Sequence, residues 1–302
     1  MNTTTWTATN QSAGWLTRMA DYVELTKPRI TVMVLVAVTV AGFVASWGQP
    51  DPWILLHTLI GTVLVAASAS ACNQLWERET DALMPRTADR PLPAGRLESV
   101  EVMLFTAVSL VVGTGYLIVF TQWTAAAWAM ATWIVYVLIY TPLKRVTRWN
   151  TAVGAVSGAI PVLIGWTAVG GQLDLRAASL FMLLFLWQFP HFMAIAWIYR
   201  DQYESAGMRM ATARGTGSAN RSAGVQAVLG ASALLPVAAV PALFAPSVLY
   251  LGLALVLGVG QLAVAIAFFR YQDDLWARRL LRVSVIYLPL MLLLLAALPV
   301  LS

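Results

Sequence analysis

Asn73, Glu77 and Asp81 recur at intervals of four residues in the stretch NQLWERETDALMPRTADRPLPAG, Asn73 to Gly95. On an α-helix this interval keeps three side chains within a sector of roughly 80° over about 12 Å. Two carboxylates and an amide oxygen on one face form a donor set for a hard cation. Mg2+ is commonly held by one or two carboxylates, with its other positions left to water and phosphate oxygens. Arg86 and Arg90 repeat the interval just beyond, and guanidinium forks match phosphate geometry. Carboxylates for a metal beside arginines for phosphate suggest a diphosphate site. Solvated ion pairs at a membrane interface would give the same spacing, and spacing does not separate the two readings. Pro85, Pro91 and Pro93 predict that the helix stops soon after Asp81 and that a shaped loop follows.

Two other stretches carry similar signals. In YVLIYTPLKRVTRWN, Tyr136, Tyr140 and Lys144 again step by four, which gathers two phenols and an ammonium on one face. They are either part of a site or an interfacial tyrosine belt with a snorkelling lysine. In WQFPHFMAIAWIYRDQYESAG, His191 lies in apolar sequence, with Asp201 and Glu204 at its end. A histidine there is a helix-to-helix hydrogen bonder or a ligand. Pro190 beside it should bend its helix and open space.

The elements that must position these residues are membrane helices. The 302-residue chain is 59% hydrophobic and only 11% charged, and its mean hydropathy of +0.73 describes a protein whose solvent is lipid. A single cysteine, Cys72, excludes an intramolecular disulfide, and two separated histidines give no zinc spacing. The polar N-terminal segment, residues 1–25, lacks the apolar run of a secretory signal; residues 26–302 read as one intramembrane domain. Nine spans are expected, near 30–47, 53–75, 99–120, 122–141, 151–170, 177–199, 223–245, 248–269 and 283–301. All but one of the 19 Lys and Arg residues, Arg176 being the exception, then fall on one face. The positive-inside rule makes that face, and the N-terminus, cytoplasmic. All but two of the 14 acids follow them, which that rule does not require.

Five stretches in order, ELTKPRI, the Asn73–Gly95 stretch, YTPLKRVTRWN, GAIPVLIGW and WQFPHF, resemble the protohaem IX farnesyltransferases, a branch of the UbiA-type intramembrane prenyltransferases. The similarity runs from about residue 20 to about residue 210; the last three spans match in hydropathy alone. The resemblance implies an all-α polytopic membrane protein of nine helices around a central cavity. It implies Mg2+ on Asn73, Glu77 and Asp81, and diphosphate engaged by Arg86, Arg90, Tyr140 and Lys144, with Tyr136 beside them. It further implies farnesyl diphosphate and protohaem IX as substrates, His191 at the haem and Asp201 at the substrate. The family pattern usually has Asp at the position of Glu77, and its second acidic motif has two aspartates where RDQYE offers Asp201, so no second metal is assigned. A bacterial plasma membrane location, with a haem A synthase or terminal oxidase downstream and no nucleic-acid partner, completes the expectation. Arg209, Arg214 and Arg221 are candidates for haem propionates or, with more weight, anionic lipid headgroups. A prenyltransferase of quinone precursors and a transporter are the alternatives; a transporter would place its binding residues near the midplane.

Overall fold

The computed structural model describes residues 4–209 and 217–301, and every regular element among them is helical. An N-terminal helix, α1 (Thr4–Leu25), precedes α2 (Pro28–Ala45), α3 (Pro52–Asp81), α4 (Ser99–Phe120), α5 (Trp123–Val146), α6 (Asn150–Ala168) and α7 (Leu175–Ile198). A short α8 (Arg200–Ser205) follows, then α9 (Gly217–Ala239), α10 (Val248–Tyr271) and α11 (Asp274–Leu301). Nine of these helices, all but α1 and α8, are long and apolar enough to cross a membrane.

Consecutive spans pack side by side, and α11 returns to contact α2, so the bundle closes on itself. Helix α6 is the most buried span and packs against α2, α5 and α7. The helix starts are encoded locally. Asp51 accepts from the backbone N–H groups of Trp53 at 2.8 Å and Ile54 at 3.3 Å; Asp174 does the same for Arg176 and Ala177, both at 3.0 Å. Glu98 and Glu101 form a capping box.

Several boundaries differ from the sequence expectation. Helix α3 runs six residues further, through Asp81, so all three donors lie on one continuous helix. Helix α11 begins at Asp274, not near residue 283, because the Asp273 side chain accepts from the Trp276 N–H at 2.7 Å and starts the helix early. Residues 134–140 of α5 form a π-turn, and α6 is divided at Ile160–Pro161. The space expected beside Pro190 is filled: Gly230 of α9 brings its backbone so close that an added Cβ would lie 2.8 Å from the Phe189 Cβ and 3.0 Å from the Pro190 Cδ.

Candidate active site

Helix α3 presents Asn73, Glu77 and Asp81 side by side, each buried to within 7% exposure or less. Each meets a cation from a different part of the chain. Lys144 of α5 donates to both Glu77 oxygens, at 2.8 and 3.1 Å. Arg90 of the following loop donates to Asp81 Oδ2 at 2.6 Å. Lys27, between α1 and α2, donates to Asn73 Oδ1 at 2.6 Å. Glu77 and Asp81, two of the acids that positive-inside does not explain, are thus partners of partly buried cations, and their own burial excludes reading them as solvated surface pairs.

The orientation of Asn73 follows from the π-turn. The wider turn leaves the Tyr136 carbonyl to accept from the Thr141 hydroxyl at 2.9 Å, and that hydroxyl in turn accepts from Asn73 Nδ2 at 3.0 Å. With its N–H end held by Thr141, Asn73 turns its carbonyl oxygen toward Lys27. π-turns of this kind concentrate at functional sites. The Tyr136 and Tyr140 rings stack at 5.6 Å, and the Lys144 ammonium lies 4.7 Å from the Tyr140 centroid. Gly154 of α6 makes room for that ring; a Cβ there would be 2.7 Å from it.

Lys27 is the residue that sequence reasoning missed. It has φ 50° and ψ 62° immediately before Pro28, a left-handed backbone that costs a non-glycine residue about 1–2 kcal/mol. Burial pushes its ammonium down to about 7, helped by Arg90 and Lys144 and opposed by Glu77 and Asp81. Only a fixed surround keeps a lysine there. Leu25 beside it is fully buried, and its carbonyl accepts from Gln74 Nε2 at 2.9 Å. Arg96 clamps α1 to the loop after α3 through Asp21 at 2.7 Å, Glu24 at 3.0 Å and the Asp89 carbonyl at 2.7 Å. Glu101 accepts from Arg18 and from the Tyr22 hydroxyl. The helical N-terminal segment is therefore a strap that fixes Lys27.

The loop of residues 82–97 is shaped, as its prolines predict: Met84, Thr87, Leu92 and Leu97 are buried, and the Thr87 hydroxyl donates to the Asp81 carbonyl at 2.8 Å. Arg86 does not join the carboxylates. It is exposed, its Cζ lying 4.5 Å from the Tyr199 ring centroid, and it donates to the Tyr203 hydroxyl at 3.2 Å. Asp201 is exposed on α8 between those two tyrosines. Arg209 is a tie: its backbone N–H donates to the Lys144 carbonyl at 2.8 Å, and its own carbonyl accepts from Asn150 Nδ2 at 3.0 Å. Arg214 lies outside the described residues. His191 is apart from this cluster, inside the bundle. Its Nδ1 pairs with the Ser284 hydroxyl of α11 at 3.0 Å, and its ring stacks on Trp187 at 4.7 Å. The Trp187 indole donates to the Ser284 carbonyl at 2.7 Å, so Nε2 is the ring nitrogen left for another partner.

The model of the UbiA prenyltransferase family matches residues 34–298. The chain belongs to the UbiA prenyltransferase family. Its relatives within that family include proteins named protohaem IX farnesyltransferase: one from Rhodopirellula baltica is 42% identical, covering 90% of this chain and 97% of its own length. One from Koribacter versatilis is 41% identical, covering 90% and 91%. Solved structures share the fold at low identity. A digeranylgeranylglyceryl phosphate synthase superposes with TM-score 0.77 at 15% identity, covering 94% of this chain and 99% of its own. A UbiA homologue from Archaeoglobus fulgidus, bound to GPP and Mg2+, gives 0.61 at 14% identity, covering 91% and 99%. This UbiA-family protein is an integral membrane prenyltransferase.

Proposed function

We propose that the protein transfers the farnesyl group of farnesyl diphosphate to a vinyl group of protohaem IX, with addition of water, giving haem O and diphosphate. The observation that carries this reading is the buried row of Asn73, Glu77 and Asp81, each held by a cation from a different segment. It is supported by relatives of that name aligned over nine-tenths of the chain, and the position of the row at the end of a span argues against a midplane transport site.

The donor set suits Mg2+: two carboxylates and one amide oxygen, the amide oriented by the bond its N–H end donates to Thr141, leave the remaining positions to water and phosphate. Asn73, Glu77 and Asp81 would hold the ion, which when bound neutralises charge on the leaving diphosphate. Without a ligand, buried carboxylates need counter-charges, and Lys144, Arg90 and Lys27 supply them. With a diphosphate present, Lys144, Arg90 and Lys27 turn from Glu77, Asp81 and Asn73 to its oxygens and stabilise the charge that develops as the allylic C–O bond breaks. Tyr136 and Tyr140 wall the site with ring faces. Arg86 with Tyr199 and Tyr203 closes it from the loop side, and Asp201 lies on that rim. The haem vinyl group attacks the farnesyl carbon; water adds to the resulting cation and loses a proton, leaving a hydroxyethylfarnesyl side chain. His191 presents Nε2 to the haem iron. The basic face is cytoplasmic and the membrane is the bacterial plasma membrane, with a haem A synthase or terminal oxidase taking the product.

Chromatography of haem extracted from a host expressing the chain tests the reaction: a later-eluting haem with the mass of haem O is expected. Its absence, with prenylated quinone precursors in its place, would move the chain to another branch of the family. For the orientation, a cysteine at Ala88 in a Cys72→Ser background is expected to resist an impermeant thiol reagent outside intact cells, and one at Gly171 to react. Reversed labelling would put the site on the other side.

A further inference from the structure

Arg176, among the described residues the one basic residue at the end of the bundle opposite the diphosphate cluster, is held in a way that its ion pair alone does not explain. Its Nε and Nη2 both donate to Asp174 Oδ2 at 2.8 Å. Its guanidinium carbon lies 4.5 Å from the Trp47 ring centroid and 5.3 Å from that of Trp166. Trp166 is fully buried and anchored by its indole N–H, which donates to the Gln172 carbonyl at 2.8 Å. Trp47 reaches the guanidinium from a left-handed backbone, φ 53°, a conformation that a bulky residue adopts only when its surroundings compel it. The guanidinium is thus fixed on three sides. Its fourth, Nη1, is buried and has no hydrogen-bond partner, an unmet donor on a charged group that folding would not normally leave.

Arg176 lines a groove between α2, α7 and α11 and the end of α9, whose walls include Val44, Leu180, Phe244, Leu295 and Leu298. The groove's free space amounts to ≈ 20 Å³, room for one oxygen-sized group. A positively charged donor in the wall of an apolar groove, at the level where spans leave the bilayer, fits an amphiphile with an oxyanion head and hydrocarbon tails. We propose that this groove is a phospholipid site: a phosphodiester oxygen accepts from Arg176 Nη1, and an acyl chain lies against the exposed Trp47 and Phe244 of its lining. Asp174 fixes the plane of the guanidinium and offsets most of its charge, so the site binds one headgroup by geometry rather than gathering anions from solution.

The test uses the full-length protein in detergent with para-benzoylphenylalanine in place of Phe244 and added dioleoylphosphatidylglycerol. Light is expected to crosslink lipid to that residue, identified by peptide mass spectrometry, and Arg176→Gln is expected to lower the yield about tenfold, the loss of one charge-assisted contact. Dioleoylglycerol, which keeps the tails but lacks the phosphate, is expected to crosslink as weakly as the variant, and millimolar inorganic phosphate is expected not to compete. Leu298→Trp crowds a buried wall of the groove and is expected to reduce crosslinking similarly while the thermal midpoint is retained, which keeps the test decisive if Arg176→Gln does not fold. Equal yields with and without Arg176, equal yields for dioleoylglycerol, or a Leu298→Trp yield that does not fall would each overturn the site. Competition by phosphate alone would make it a soluble-anion site and overturn the lipid.

Discussion

Two of the polar groups within the apolar bundle, the α3 cluster and the His191 pair, are built on opposite principles. The cluster at the end of α3 joins residues far apart in sequence, Lys27, Asn73 to Arg90 and Tyr136 to Lys144, through charged contacts of 2.6–2.8 Å. The His191 pair inside the bundle is one neutral hydrogen bond, to Ser284 at 3.0 Å, between two helices. In the first, every carboxylate is satisfied by a group that a diphosphate would also attract, so its contacts are exchangeable. In the second, Ser284 fixes the ring and leaves one nitrogen. Removing a member of the first strands a buried charge, whereas removing the second loses one bond between helices that otherwise pack through apolar side chains.

The largest effects should therefore come from the carboxylates. Asp81→Asn and Glu77→Gln each keep the shape, remove the charge, and leave Arg90 or Lys144 without its partner. Each is expected to lower farnesyl transfer by more than about tenfold and to weaken the response to added Mg2+. Full activity in both variants would remove the metal assignment. Because breaking a buried pair costs about 3–5 kcal/mol, the thermal midpoint should be followed in parallel, and double variants such as Glu77→Gln with Lys144→Met should recover stability but not activity.

Lys27→Met comes next. It removes one of three cations yet leaves both carboxylate pairs intact, so the apparent affinity for farnesyl diphosphate should fall about tenfold, the worth of one charge-assisted contact to phosphate. Apparent stability should hold or rise, since a buried ammonium held down to about 7 is replaced by an apolar side chain of similar length. An unchanged affinity would limit Lys27 to orienting Asn73. Glu77→Asp should be milder than either. It retracts the carboxylate by one methylene, and the flexible Lys144 stem follows it; a loss as large as that of Glu77→Gln would show that reach, and not charge, is what Glu77 supplies.

The same contrast explains what was legible in the sequence. Asn73, Glu77 and Asp81 lie on one helix face, where a four-residue interval is visible by inspection, and the hydropathy of nine spans is a local property. Lys27 is 46 residues from its partner Asn73, and only the docking of α1 through Arg96 and Leu25 brings them together. The π-turn at 134–140 leaves no mark in hydropathy, since the same apolar residues fill an α-helical turn equally well; yet it sets Thr141 and so the Asn73 amide. Arg86 repeats the interval of Arg90 but is carried out of the cluster by the proline-rich loop, where periodicity no longer reports direction.

The smallest effect on stability is expected at His191. Hydrogen bonds between membrane helices average roughly 0.6 kcal/mol, so loss of the Ser284 contact should lower the thermal midpoint only slightly, in His191→Ala and Ser284→Ala alike. The two variants differ in what they leave behind. Ser284→Ala keeps the imidazole and frees it to turn; His191→Ala removes Nε2. If Nε2 binds haem iron, the absorption spectrum of the purified haem complex should change in His191→Ala, because axial ligation sets the iron's electronic state, while Ser284→Ala should retain the same bands with weaker haem binding. Farnesyl diphosphate binding should persist in both, since the α3 cluster shares no residue with this pair. A His191→Ala protein with an unchanged haem spectrum and normal farnesyl transfer would reduce His191 to a helix tie, and the contrast between the two regions would then be one of site against scaffold.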